Sequence, residues 1–197
     1  MQTIDQDKYT LILNAALQCF ENFGYKATTV EQIAKVAKIG KGTFYNFFKT
    51  KEDVFQTIIN RQLDLIKSYS QQVIESPKSD FLALNDYLYA SLQCRNQQIF
   101  FEKLTMEAEV YGTQIVLDGL KQMKDAAHMS LKNILDAYVN KGLILPCDTT
   151  FLSFLMIEIY TSLSTNWTKD HAPLSNEEII DIYAKLFRSY LPDMKRS

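Results

Sequence analysis

Apolar residues return every three or four positions along almost the whole chain, and the breaks between these stripes are short. Ile12, Ala16, Cys19, Phe20 and Phe23 share one helical face, and Gly24 follows as a C-terminal stop with Tyr25 placed to pack back on it. Ile33, Ala34 and Ala37 make a second, small apolar face. Thr28 with Glu31 reads as a capping box that starts this helix near Val30. The turn after it falls on Lys38-Ile39-Gly40, where Gly40 is expected to take the backbone angles that other residues resist. Phe44, Phe47 and Phe48 then face inward and Lys41, Thr43, Tyr45 and Asn46 outward, in a helix of little more than two turns.

Thr50 with Asp53 opens the next helix, which runs through Val54, Phe55, Ile58, Ile59, Gln62, Leu65, Ile66 and Tyr69 without a breaker until Ser76-Pro77. It is longer than the first three helices need, so it reads as a connecting rod. Further helices are predicted over 80–95, 97–111, 114–141, 150–168 and 176–191. The stripe from Val116 to Tyr138 ends at Asn140-Lys141-Gly142, and Ser175 with Glu178 caps the last helix.

Two crossed short helices, the second polar on its outer side, describe a helix-turn-helix DNA reader over about 29–48. With 47% hydrophobic and 22% charged residues, six glycines and four prolines, the chain is globular and all-α rather than a loop-rich β fold. The predicted architecture is a three-helix head, joined by a long helix to a larger helical dimerisation domain, to which the family resemblance described below adds ligand binding. The boundary is drawn between 6–66 and 67–197.

Charge narrows the picture. Six lysines face one acid, Glu31, between Gly24 and Lys51, whereas the whole chain carries −2. One basic patch on an acidic body implies one docking surface and disfavours a packaging protein that coats nucleic acid over its whole face. Cys19, Cys94 and Cys147 have no disulfide or zinc spacing. The N-terminus has no apolar secretory core, and the apolar run from Phe151 to Tyr160 is broken by Glu158 and falls short of the ~20 residues of a membrane span. The expectation is a cytoplasmic protein without membrane contact.

An enzyme is disfavoured: neither His128 nor His171 sits in a nucleophile, metal or glycine-loop pattern, and no cofactor or metal is expected. A redox sensor using Cys94 or Cys147 is the alternative, as is an activator on the same scaffold.

The helix beginning at 150 is apolar nearly all round, and the last helix has a broad apolar stripe. Surplus apolar surface at this end predicts a two-fold homodimer through Phe151, Leu155, Ile159, Ile179, Ile182, Tyr183, Leu186, Phe187 and Tyr190.

From Ile12 to Phe55 the chain resembles the N-terminal domain of the TetR (tetracycline repressor) family of bacterial transcriptional regulators. The resemblance is carried by Ala16, Phe20, Gly24-Tyr25, Thr28-Thr29-Val30, Ile33-Ala34, Ala37, Gly42-Thr43-Phe44-Tyr45, Phe48 and Lys51-Glu52-Asp53. The family's usual turn is Ala-Gly-Val-Ser, against Ala37-Lys38-Ile39-Gly40 here, so Gly40 replaces a Ser cap at a cost of a few tenths of a kcal/mol. Phe47 stands where a His is common.

The resemblance implies that Thr29 holds a phosphate at a helix N-terminus with Lys38 nearby. Lys41, Gly42, Thr43 and Asn46 would face the major groove, and Tyr45 and Lys51 would clamp the backbone. It also implies a repressor that leaves a palindromic double-stranded operator when a small hydrophobic or amphipathic effector binds. Inward positions with a polar handle are the pocket candidates: Tyr87, Ser91, Phe101, Thr105, Met123, Glu158 and Thr161. Glu158, an acid in an apolar run, needs a cationic ligand, a basic partner or a dimer edge.

Overall fold

The computed structural model of the chain describes residues 2–76, 98–187 and 189, and every regular element among them is helical. In chain order these are α1 (Gln2–Ala27), α2 (Val30–Val36), α3 (Lys41–Phe47), α4 (Lys51–Glu75), α5 (Gln98–Tyr111), α6 (Gln114–Asn140), α7 (Thr149–Thr161) and α8 (Asn176–Leu186). After α7 the chain continues as a π turn, Ser162–Asn166, and a 3₁₀ turn, Trp167–Lys169, where one helix was expected to reach 168. The helix predicted over 80–95 lies outside the described residues, and so do Tyr87, Ser91, Cys94 and Tyr190.

The described residues of 1–64 and 94–123 form one compact unit, and those of 65–93 and 124–197 form another. The first unit therefore holds more than the 6–66 head. Phe100, Leu104 and Val116 are fully buried in the same cluster as Phe20, Phe44 and Phe55. The reason is aromatic packing: the Phe100 ring lies 6.4 Å from both Phe20 and Phe55. Gly119 completes it: a Cβ there would meet Phe55 at 3.2 Å and Ile59 at 3.3 Å, so any larger residue would require those side chains to give by a few tenths of an ångström where α6 crosses α4. A three-helix head has too little core of its own, and α5 with the start of α6 makes up the deficit.

In the second unit Leu131, Ile134, Tyr138, Met156, Ile179 and Tyr183 are core. The Tyr183 hydroxyl donates to the Met156 carbonyl, tying α8 to α7. Ser175 and Glu178 form the expected capping box at the start of α8, and the Asp148 carboxylate accepts the Thr150 and Phe151 amides at 3.0 Å at the start of α7.

Two local expectations are corrected. The cap of α2 is one residue later than Thr28 and Glu31: Thr29 Oγ1 accepts the Gln32 amide, and the Gln32 side chain accepts the Thr29 amide at 2.7 Å. Gly24, at φ 78, ends the regular part of α1 and leaves carbonyls free. The buried Thr28 hydroxyl donates to one of them, Gly24 O, at 2.7 Å, so it is no longer available as a cap.

The second correction concerns the turn between α2 and α3. The left-handed residue there is Lys38, at φ 56, and not Gly40, which is extended at φ −72, ψ 149. The Ile39 amide donates to Ala34 O at 3.0 Å and the Lys38 amide to Lys35 O at 3.2 Å, a Schellman closure in which Lys38 occupies the usual glycine position. The same closure ends α6 with Gly142, at φ 69, in the left-handed place.

Candidate nucleic-acid interface

The candidate interface centres on α3, a helix held by its aromatic inner side. Phe44 is fully buried, its ring 6.0 Å from Phe48, and Phe48 stacks on Tyr9 at 5.1 Å. Phe47 packs partly buried against the same core. Gly40 caps the helix with its carbonyl alone, accepting the Thr43 amide at 2.9 Å and the Phe44 amide at 3.2 Å.

With those rings fixed, Lys41, Gly42, Tyr45 and Asn46 are exposed and Thr43 is half-buried. Tyr45 is 47% exposed, and its ring makes a T-shaped contact with Phe44 at 5.5 Å. Thr29 and Lys38 are exposed at the two ends of α2.

Glu31, released from the expected capping role, pairs with Lys41 across the two helices. That pair holds the Glu31 carboxyl below and the Lys41 ammonium above their ordinary values. Both groups are open to solvent, so the pair is weak.

Lys51 differs from the sequence reading. Its ammonium points away from the exposed face, donating to Tyr25 O and Thr28 O at 2.8 Å each and lying 4.3 Å from the Tyr25 ring centre. Burial holds it below its ordinary basicity. Beside it the Tyr25 hydroxyl donates to Glu52 at 2.7 Å, which keeps the Glu52 carboxyl low. These groups brace the joint between the end of α1 and the start of α4.

Sequence reasoning missed the residue that completes this joint. Glu107, on α5, accepts the Lys26 amide on both oxygens. Its partner is 81 positions away, beyond the reach of any local pattern.

The effector candidates are spread over both units. Phe101 and Met123 pack partly buried on the first unit's core, and Thr105 is exposed. In the second unit Thr161 is exposed, and Glu158 has a basic partner, Lys124, at 2.6 Å. Among the predicted interface residues Ile179, Tyr183 and Phe187 are buried within a single chain, so they are core and not available surface. Leu155, Ile159 and Ile182 are half-buried, while Phe151 is 56% and Leu186 54% exposed, with Phe154 also exposed.

Burial raises the thiol pKa of Cys19 and, with Asp148 and Asp136 nearby, that of Cys147, which disfavours the thiolate a redox sensor needs. His128 stacks on Phe154 and His171 on Trp167. No helix among the described residues is long and apolar enough to cross a membrane.

Comparison with known proteins identifies the family. Residues 12–58 match the family model described as bacterial regulatory proteins, tetR family. The chain is 34% identical over 173 residues to the HTH-type transcriptional regulator YhgD of Bacillus subtilis, covering 88% of this chain and 91% of that one. It is 28% identical over 171 residues to the HTH-type transcriptional repressor KstR2 of Mycolicibacterium smegmatis, covering 85% and 82%. The fold is similar to that of SmeT, solved as a complex with triclosan, with a TM-score of 0.75, 16% identity and coverage of 95% and 93%.

Proposed function

This chain belongs to the TetR family of bacterial regulatory proteins and is a transcriptional regulator, and from that premise we propose that it works as a homodimeric repressor released from a palindromic operator by a small hydrophobic or amphipathic effector. One observation carries the reading: α3 keeps Phe44 fully buried while Lys41, Tyr45 and Asn46 stay exposed. Asn46 is suited to adenine and Lys41 to guanine in the major groove, each pair worth ~1–3 kcal/mol of discrimination. Thr29 and Lys38 flank them as phosphate contacts.

A helix of seven residues spans few base pairs, so useful specificity needs two heads on two half-sites. The exposed apolar side chains Phe151, Phe154 and Leu186 support a second copy as the occupant of that face. The repressor assignment draws on the similarity to KstR2, and the effector class on the triclosan held by SmeT. A hundredfold release requires ~2.7 kcal/mol of difference in effector affinity between the two states. Because α4 supplies residues to both units, it is the proposed lever.

The test is selection of binding sites from random duplexes, followed by sedimentation of the complex. Enrichment of two inverted half-sites, with two chains bound, is expected. A single half-site bound by one chain would rule out the dimeric reader. A panel of hydrophobic small molecules that includes triclosan, added to the preformed complex, then tests release.

A further inference from the structure

Glu107 is 6% exposed, and its hydrogen bonds come from Lys26 at the end of α1 and from Thr113 just before α6. Its two oxygens accept the Lys26 amide at 3.0 and 3.1 Å, and Oε1 also accepts the Thr113 hydroxyl at 3.2 Å. The carboxylate presses on the backbone where α1 breaks: a Cβ on Gly24 would stand 2.7 Å from Oε2. Gly24 holds φ 78, a conformation that side chains resist.

A buried carboxylate whose hydrogen bonds come from neutral donors, with the Lys51 charge acting on it from nearby, is a costly way to pack α5 on α1, and an apolar side chain would fill the same space without that desolvation. What the carboxylate adds is direction, since it fixes the Lys26 amide and with it the hinge.

The hinge leads straight to the reading helices. Two residues after Lys26 the Thr28 hydroxyl returns to Gly24 O at 2.7 Å, and Thr29 next caps α2. Lys51 braces the same stretch from the other side through Tyr25 O and Thr28 O. We infer that Glu107 is a positioning residue for the DNA-reading head: it holds the Gly24 hinge at the angle from which α2 starts, so α5 sets how α3 is presented. This rests on the reading of α3 as the DNA-contacting helix.

The test compares full-length wild type with Glu107→Gln, on an operator duplex recovered by selection and by amide hydrogen exchange. Losing a charged acceptor from the hinge should weaken operator binding about tenfold. Exchange over residues 24–33 should rise by a similar factor while Phe100, Leu104 and α8 exchange as in wild type. Gly24→Ala should reproduce the effect, and adding Glu107→Ala to it should cost less than Glu107→Ala alone, because the new Cβ has already displaced the carboxylate.

Operator affinity within twofold of wild type would overturn the inference. So would exchange that rises evenly along the chain, or strict additivity of the two substitutions. If wild type enriches no duplex, the DNA reading of α3 fails, and the exchange pattern alone then decides whether Glu107 holds the hinge.

Discussion

The Lys51 ammonium lies 2.8 Å from the Thr28 carbonyl oxygen, so the first residue of α4 holds the strand of chain that enters α2. The same group reaches Tyr25 O, so two of its three N–H donors are taken inside the head. Lys51→Met should therefore lower stability by about 1–2 kcal/mol, discounted for partial exposure. It should leave the salt dependence of operator binding unchanged. Denaturant melts and titrations at several salt concentrations check both, and a slope reduced by one phosphate would put Lys51 back on the DNA.

Lys38 adopts φ 56 where the matching closure of α6 uses Gly142. A left-handed non-glycine residue costs roughly 1–2 kcal/mol. Lys38→Gly should raise stability by about 1 kcal/mol, while removal of the charge should weaken DNA binding without altering sequence preference. Thermal melts and salt titrations of the same variant separate the two effects. A variant that gains stability and loses no affinity would show that Lys38 touches no phosphate.

The Tyr25 hydroxyl, 2.7 Å from Glu52, holds that carboxyl below its ordinary value of 4.5. A carboxyl lowered in the folded state contributes stability that is present above 4.5 and is lost as pH falls through the folded value. Wild type should lose more stability than Glu52→Gln between about pH 7 and about pH 3. At the alkaline end the sign reverses, because burial and Glu52 push the Tyr25 phenol above its ordinary 10.0. That contribution is present below 10.0 and is lost as pH rises beyond it. Urea melts across the two windows check both limbs.

Phe151 and Leu186 are more than half exposed on α7 and α8. Phe151→Glu should leave the helical content of one chain intact, because the side chain is not core, and should convert a dimer to a monomer by sedimentation. Operator affinity should fall at least tenfold, since one head grips one half-site. An unchanged sedimentation coefficient would remove this face from the interface.

Helix positions were largely legible because apolar spacing and caps are local. Ser175 with Glu178, Thr50 with Asp53, and Gly142 all act where the sequence places them. The inner and outer sides of α3 were equally legible, since Phe44 and Phe48 dictate them. Two local errors share one cause: several residues qualified for the same job and tertiary bonds chose between them. Thr28 and Thr29 both cap well, and Gly24 O claimed the first. Lys38 and Gly40 both sit in the turn, and the Ala34 carbonyl fixed which one turns left.

The inward turn of Lys51, the Lys41–Glu31 pair and the hold of Glu107 on Lys26 join distant segments, so no periodicity announces them. Tyr183 shows the complementary limit. An apolar stripe predicts burial, but it does not say whether the chain's own core or a second copy covers it.

The central claim is that the outer side of α3 reads bases, and Asn46 tests it most directly. The exposed Asn46 side chain can be shortened without touching the Phe44 and Phe48 packing. Binding sites are selected from one random pool with wild type and with Asn46→Ala, and the two base preferences are compared. Relaxed preference at one base position in each half-site, with the thermal midpoint and the salt dependence unchanged, is the predicted result. Identical preferences for the two proteins would contradict it.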